Sequence, residues 1–294
     1  MPEINTILSR DSYLLYAELR LFWLVAFVYG MSFALFIIHG ATRQSAPGKI
    51  GRMLLWLAVS LHIALIVLRT LEAGRAPFQT LYESLSWFAC SAALTYLYVS
   101  GKWEDIHLPG GIVSGISLGA CLYALLARSP AVEPLAPALQ SYWFEWHVAL
   151  AFFSYAVFVV SASIEAICLI VMPFVKRGRR VYGLTINAVD ELQTLAHKLV
   201  LLGFPLLTFA VLSGAAWANE AWGRYWSWDP KETWSLITWT VFAVYLHSKT
   251  IPAMKGLPAS VFNLIGFVCM MMTFLGVNWL AKLLGIPSLH VYAV

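Results

Sequence analysis

The sequence predicts an all-α fold: a polytopic membrane helix bundle of about eight transmembrane helices with an external tryptophan-rich loop. Three observations carry that expectation. Of 294 residues, 60% are hydrophobic and only 12% are charged, against about 25% charged in a soluble domain. The apolar residues come in long runs, and a helix needs roughly 20 of them to cross a bilayer. Six of the thirteen tryptophans fall between Trp217 and Trp239. Indoles are flat and amphipathic, and such a cluster at a membrane boundary makes an aromatic shelf for a flat apolar ligand.

Length therefore counts spans, and residues 1–294 read as a single integral membrane domain. The net charge of +4 is small and dispersed, which gives no sign of nucleic-acid binding. Residues 1–18 are polar and lack a basic start followed by an apolar core, so no cleavable signal peptide is expected. Cys90, Cys121, Cys168 and Cys269 each sit in an apolar stretch with no Cys-x-x-Cys pair. They read as small buried hydrophobes, not as redox or metal-binding thiols.

Eight apolar runs are taken as spans: 19–41, 51–71, 84–100, 107–127, 147–172, 195–217, 230–249 and 258–283. The third is the shortest. The fourth carries Gly111, Gly115 and Gly119 at every fourth position, a pattern for close helix packing. Its Gly-x-Ser117-x-Gly string lacks the strand-to-helix turn that a nucleophile elbow requires. The seventh opens on Asp229-Pro230-Lys231-Glu232, with an N-cap Asp, Pro at the first helical position and Glu at the third. The tryptophan segment 218–234 is then an external loop running into that helix.

Basic residues in short loops set orientation. Lys176, Arg177, Arg179 and Arg180 place the 173–194 connection in the cytoplasm. Both termini and the tryptophan loop then face outward. His147, at the outer start of the fifth span, and His290, beyond the outer end of the eighth, share that face. Two imidazoles beside an aromatic shelf suit the axial positions of a haem iron; interfacial histidines also serve simply as hydrogen-bonding groups. His62 is the most deeply placed histidine, and burial keeps it neutral and able to ligate. His247 lies near the cytoplasmic end of the seventh span. If their helices fill a 30 Å slab, His62 and His247 differ in depth by roughly 10 Å. Arg69, Glu72, Arg75 and Glu83 flank the outer end of the second span. They read either as a solvated face or, through an arginine, as a contact for an anionic group such as a haem propionate.

The run Trp222-Gly-Arg-Tyr-Trp226-Ser-Trp228-Asp-Pro-Lys-Glu-Thr-Trp234 resembles the WWD signature of haem-handling proteins in cytochrome c assembly. Among their branches the chain most resembles the CcsA (ResC) component of System II. His62 with Arg69, Gly74, Pro77 and Tyr82-Glu83 is similar to the family's second-helix pattern. Gly203-Phe204-Pro205, Gly214-Ala-Ala-Trp217-Ala-Asn, Tyr245-Leu246-His247 and Leu289-His290 extend the likeness. The family's terminal His-Ser-Tyr is here His290-Val291-Tyr292, which keeps the histidine and loses a hydroxyl.

The resemblance implies haem b at two sites. His62 and His247 match the ligands of a membrane-embedded site. His147 and His290 match those of an external site lined by Trp217, Trp222, Trp226, Trp228, Asp229 and Trp234. It implies a haem-translocating subunit of a holocytochrome c synthase in the bacterial cytoplasmic membrane. Haem is presented to the Cys-x-x-Cys-His motif of apocytochrome c, with a CcsB (ResB) type membrane subunit as partner and lipid around it. Catalytic residues stay unassigned. The alternatives are a diheme membrane cytochrome linked to quinone, or a System I haem-delivery subunit; a haem-free transporter is disfavoured by the scarcity of charges in the spans.

Overall fold

Long apolar stretches satisfy their own backbone groups only by coiling, because lipid offers no hydrogen bonds. The computed structural model accordingly consists of helices. It describes residues 2–101, 107–132, 134–179, 181 and 184–285, with side chains from residue 13 onward. The chain divides into two compact units, Met1–Leu135 and Ala136–Val294.

The first unit holds α1 (Pro2–Thr42), α2 (Ser45–Ala73), α3 (Leu81–Ser100) and α4 (Leu108–Ala127). α1 packs on α2 and α4, and α3 closes the bundle against α4 and α2. α3 starts with a capping box, Thr80 with Glu83. Gly111 and Gly115 admit the Phe36 and Phe33 side chains of α1, at 3.5 and 3.0 Å from where a Cβ would stand. Gly119, expected on the same seam, faces open space. Ser117 is fully buried and donates to the Ala89 carbonyl, a packing role.

The second unit holds a 3-10 turn (Pro137–Leu139), α5 (Tyr142–Val175), α6 (Ile186–Trp222), α7 (Pro230–Ser248), α8 (Leu257–Met271), a π-turn (Met272–Gly276) and α9 (Val277–Leu284). Helices thus lie at all eight expected positions. Six stretches among the described residues are long and apolar enough to cross a membrane; α3 and α7 are not among them. Polar residues lower the hydropathy of both, Glu83, Ser84, Ser86 and Ser91 in α3, and Lys231, Glu232, Thr233 and Ser235 in α7. α6 overruns its expected span at both ends, so non-helical backbone between α6 and α7 is confined to residues 223–229.

α5 and α6 form the most extensive helix pair, and a ladder of hydrogen bonds explains why. His147 Nδ1 reaches the Ala210 carbonyl at 2.7 Å, Ser154 the Gly203 carbonyl at 3.1 Å, and Ser161 the Ala196 carbonyl at 2.8 Å. Cys168 Sγ approaches the Val189 carbonyl at 3.9 Å. Donors recur every seven residues on α5 and acceptors every seven on α6, the spacing that keeps one seam facing a partner helix. Ala196, Gly203 and Ala210 are small, which lets a short side chain touch the opposing backbone.

A second device ties all four long helices together. Phe158 of α5 and Phe242 of α7 stack with ring centroids 3.8 Å apart. A Cβ on Gly203 of α6 would meet Phe158 at 2.7 Å, and one on Gly266 of α8 would meet Phe242 at 2.8 Å. The ring pair is therefore seated between two glycines. Gly203→Ala should cost about 1–3 kcal/mol through overpacking. Gly119→Ala, facing open space, should be neutral or gain up to about 1 kcal/mol of helix propensity. Thermal unfolding of the purified chain in detergent measures both.

Candidate functional site

One end of the second unit gathers the start of α5, the end of α6 and the start of α7. α6 stops at Trp222 because Gly223 adopts a left-handed φ of 71° and returns its N–H to the Asn219 carbonyl, a conformation that costs glycine little. Ser141 caps α5 and also donates to Glu220 at 2.7 Å, pinning the two helix ends to each other. Trp217 is buried, and its indole donates to the Ala138 carbonyl of the 3-10 turn at 2.7 Å.

His147 lies against this frame. Its ring stacks on Trp217 with centroids 5.8 Å apart and planes 23° apart. A carbonyl oxygen can only accept, so the bond to Ala210 puts the ring proton on Nδ1 and makes Nε2 the lone-pair nitrogen. Metal-ligating histidines are oriented by just such an outer bond. Gly214 provides the room, since a Cβ there would meet His147 Nδ1 at 2.7 Å. Trp217 also touches Phe144 at 5.3 Å and Trp222 at 5.0 Å.

The loop carries a strained residue. Trp228 has a φ of 60°, a left-handed conformation that costs a bulky side chain of order 1–3 kcal/mol. Glu232 holds it there. Its Oε2 accepts from the amides of Ser227 at 2.8 Å and Asp229 at 3.1 Å, on either side of Trp228. Asp229 is buried and accepts from the Lys231 amide at 2.9 Å, completing the capping box that the sequence predicts. Trp228 is thereby turned outward, 68% exposed, with Trp226 edge-on to it at 5.9 Å. Trp226 Nε1 is a buried donor with no acceptor among the described residues. Trp222 and Trp234 are half-buried.

His290 falls outside the described residues. His247 is exposed in the last turn of α7, about 27 Å along that helix from Asp229. His62, in the first unit, is fully buried with both ring nitrogens engaged, Nδ1 with Tyr29 Oη at 3.1 Å and Nε2 with Ser86 Oγ at 2.8 Å. Ligation by His62 therefore requires one of those hydroxyls to let go.

Arg69 is 3% exposed, so its surroundings are not a solvated face. Its Nη1 donates to Glu18 at 3.1 Å and the Pro130 carbonyl at 2.7 Å. Nη2 donates to Glu83 and the Ala131 carbonyl, both at 3.2 Å, and Nε to Glu83 at 3.2 Å. These contacts use all five guanidinium N–H groups. Glu18, which the sequence reading missed, lies 51 residues away; a lone carboxylate at the start of a span was its only signal. The α5–α6 ladder was also missed, although Ser154, Ser161 and Cys168 facing Ala196 and Gly203 at heptad spacing signal it.

Two outcomes are expected from these contacts. Arg69→Lys should lower the unfolding midpoint of haem-free protein sharply. Leaving buried carboxylates underpaired costs about 3–5 kcal/mol, and lysine cannot reproduce the planar fork; a residue serving only an added ligand would leave that midpoint alone. Trp228→Gly should keep or raise stability by relieving the strained φ, whereas Glu232→Ala should lower it by about 1–2 kcal/mol. Calorimetry on the purified variants reads both.

The chain is similar to known proteins over most of its length. The family described as cytochrome C assembly protein matches residues 17–284. The protein described as cytochrome c biogenesis protein CcsA from Chlamydomonas reinhardtii is 34% identical over 248 residues, covering 83% of this chain and 68% of its own length. Its counterpart in Gloeothece citriformis is 30% identical over 350 aligned positions, covering 99% of this chain and 98% of its own. Among solved structures, the cytochrome c haem lyase CcmF superimposes over 96% of this chain with a TM-score of 0.68 at 14% identity. The chain spans half of the CcmF length, 50%, and shares its fold.

Proposed function

This chain belongs to the cytochrome c assembly protein family as a CcsA-type member, and from that premise we propose that its tryptophan end receives haem and presents it for covalent attachment. It is a multi-pass membrane protein with a role in cytochrome c biogenesis. The haem-presenting step, haem b as the cargo, the two histidine pairs and their two faces are our reading.

The observation that carries it is the state of His147. A bond to Ala210 and a stack on Trp217 hold its ring in the tautomer whose Nε2 can ligate. The surroundings suit a porphyrin. Exposed Trp228 and half-buried Trp222 and Trp226 offer apolar faces. The Trp226 N–H, which has no acceptor among the described residues, suits a propionate oxygen. We assign His147 and His290 as axial ligands of this external site. His62 and His247 remain the assignment for a membrane-embedded site.

Bound haem supplies two vinyl groups. The chain's own contribution is positioning, which is worth several kcal/mol when reacting groups are held in line. His147 would fix the iron's distance from α6, and the Glu232-clamped turn would set Trp228 against the ring. Each thiol of a Cys-x-x-Cys-His segment then adds across a vinyl group. Sulfur bonds to one carbon, the thiol proton ends on the other, and no net redox change occurs. The basic 173–194 connection supports a cytoplasmic face for that loop and an outward face for both termini and the tryptophan end. A CcsB (ResB) type subunit is the partner we expect.

The test is purification with visible spectroscopy of His147→Ala, His290→Ala, His62→Ala and His247→Ala. We expect the first two to lose most external haem and to regain part of it with added imidazole. Wild-type haem content and wild-type thioether yield in all four would overturn the ligand assignments.

A further inference from the structure

At the end of the second unit opposite the tryptophans, α5, α6, α7 and α8 enclose a polar group that the haem reading does not use. Glu165 lies 18 residues beyond His147 on α5, about 27 Å along the helix. It is fully buried. Its Oε2 accepts from Ser260 Oγ at 2.8 Å and from Gln193 Nε2 at 3.3 Å. Gln193 also donates to Ser260 at 3.0 Å. One turn along α8, Asn263 is fully buried and donates through Nδ2 to Ser161 Oγ at 2.9 Å. Ser161 is one turn from Glu165. Two cross-links, Glu165 to Ser260 and Ser161 to Asn263, thus bracket a single patch of the α5–α8 contact.

Inside that bracket two oxygens stand without partners among the described residues, Glu165 Oε1 and Asn263 Oδ1. The amide oxygen only accepts, and an ionised carboxylate only accepts. They cannot satisfy each other. Tyr245 of α7 adds a third buried, unpartnered oxygen, and its ring lies 5.8 Å from His197. A lone buried carboxylate is costly without a counter-charge. A cation stands nearby, Lys249, a half-buried residue that sits 5.7 Å over the face of Tyr245.

We propose that Glu165 and Asn263, with Tyr245 beside them, form a binding site for one monovalent cation, either a proton or a sodium ion. A unit positive charge neutralises the carboxylate and leaves no residual charge in a low-dielectric interior. Both occupants answer the same unmet need. A proton turns Glu165 into a donor for a neighbouring acceptor, and sodium is coordinated by carboxylate, amide and phenol oxygens, the hard ligands such ions take. A divalent ion would leave an excess positive charge. The titratable and charged groups nearby are Cys168 on its own helix, Tyr245 on α7 and Lys249 just after it, with Asp190 of α6 beside Cys168 and His197 of α6 against Tyr245. From α8 it meets the neutral Ser260.

The experiment uses the full-length chain in detergent. Infrared difference spectroscopy reads the carbonyl stretch of a protonated carboxylic acid, and thermal unfolding is followed against NaCl, with choline chloride as the ionic-strength control. A protonated-acid band at neutral pH that vanishes in Glu165→Gln and shifts in Asn263→Ala identifies a proton. A saturating rise in unfolding midpoint with NaCl but not choline chloride, lost in Glu165→Gln, identifies sodium. An ionised Glu165 at neutral pH together with a midpoint indifferent to sodium overturns the proposal. The sodium titration is read on the wild-type chain, and the band is assigned by its loss in Glu165→Gln or, should that variant not fold, by its shift in Asn263→Ala. Haem content plays no part in the readout, so the ligand assignments can fail without touching this result.

Discussion

The second unit depends on how closely α5 and α6 approach. Between helices in a bilayer there is little hydrophobic driving force, since lipid tails are as apolar as leucine. What holds them is van der Waals contact at small residues and hydrogen bonds from one helix to the other's backbone. Here Ala196, Gly203 and Ala210 bring the α6 carbonyls within reach of Ser161, Ser154 and His147. A one-residue slip would rotate each donor by about 100° away from its carbonyl. The register is therefore strongly specified, and the phenylalanine pair seated between Gly203 and Gly266 extends it to α7 and α8.

That register decides what each end of the unit presents. At one end it sets the His147 ring beneath Trp217 and fixes its tautomer. At the other it lines Ser161 and Glu165 up with Asn263 and Ser260. The two ends use opposite physics. The tryptophan end holds strain at Trp228 and exposes indole faces; the far end buries polar atoms and keeps them from water. One hydrogen-bonded seam connects them.

The first unit shows what a membrane bundle does with charge that it keeps inside. Arg69 looked suited to an external anion when judged by its place near the end of a span. Instead its five N–H groups are consumed by Glu18, Glu83 and two carbonyls of the 128–132 segment. Glu83 does double duty, capping α3 and pairing with Arg69 and Arg75. His62 follows the same pattern, with its nitrogens spent on Tyr29 and Ser86. In both places, side chains that read as binding groups also tie the bundle together.

Helix positions, the capping box at Asp229 and the tryptophan concentration were legible in the chain alone. Each is a sum over near neighbours: transfer free energy along 20 residues, or a hydrogen bond three residues back. The polar ends of α6, from Ile186 and out to Trp222, escaped a hydropathy reading because they extend beyond its apolar core. Gly119, spaced like Gly111 and Gly115, turned out to face nothing. Only the tertiary structure decided that Glu18 meets Arg69, that Glu232 clamps the turn at Trp228, and that Glu165 and Asn263 share one patch. Those pairings rest on the register between helices and on backbone carbonyls. A carbonyl is present at every residue, so no pattern of side chains announces which one will be used.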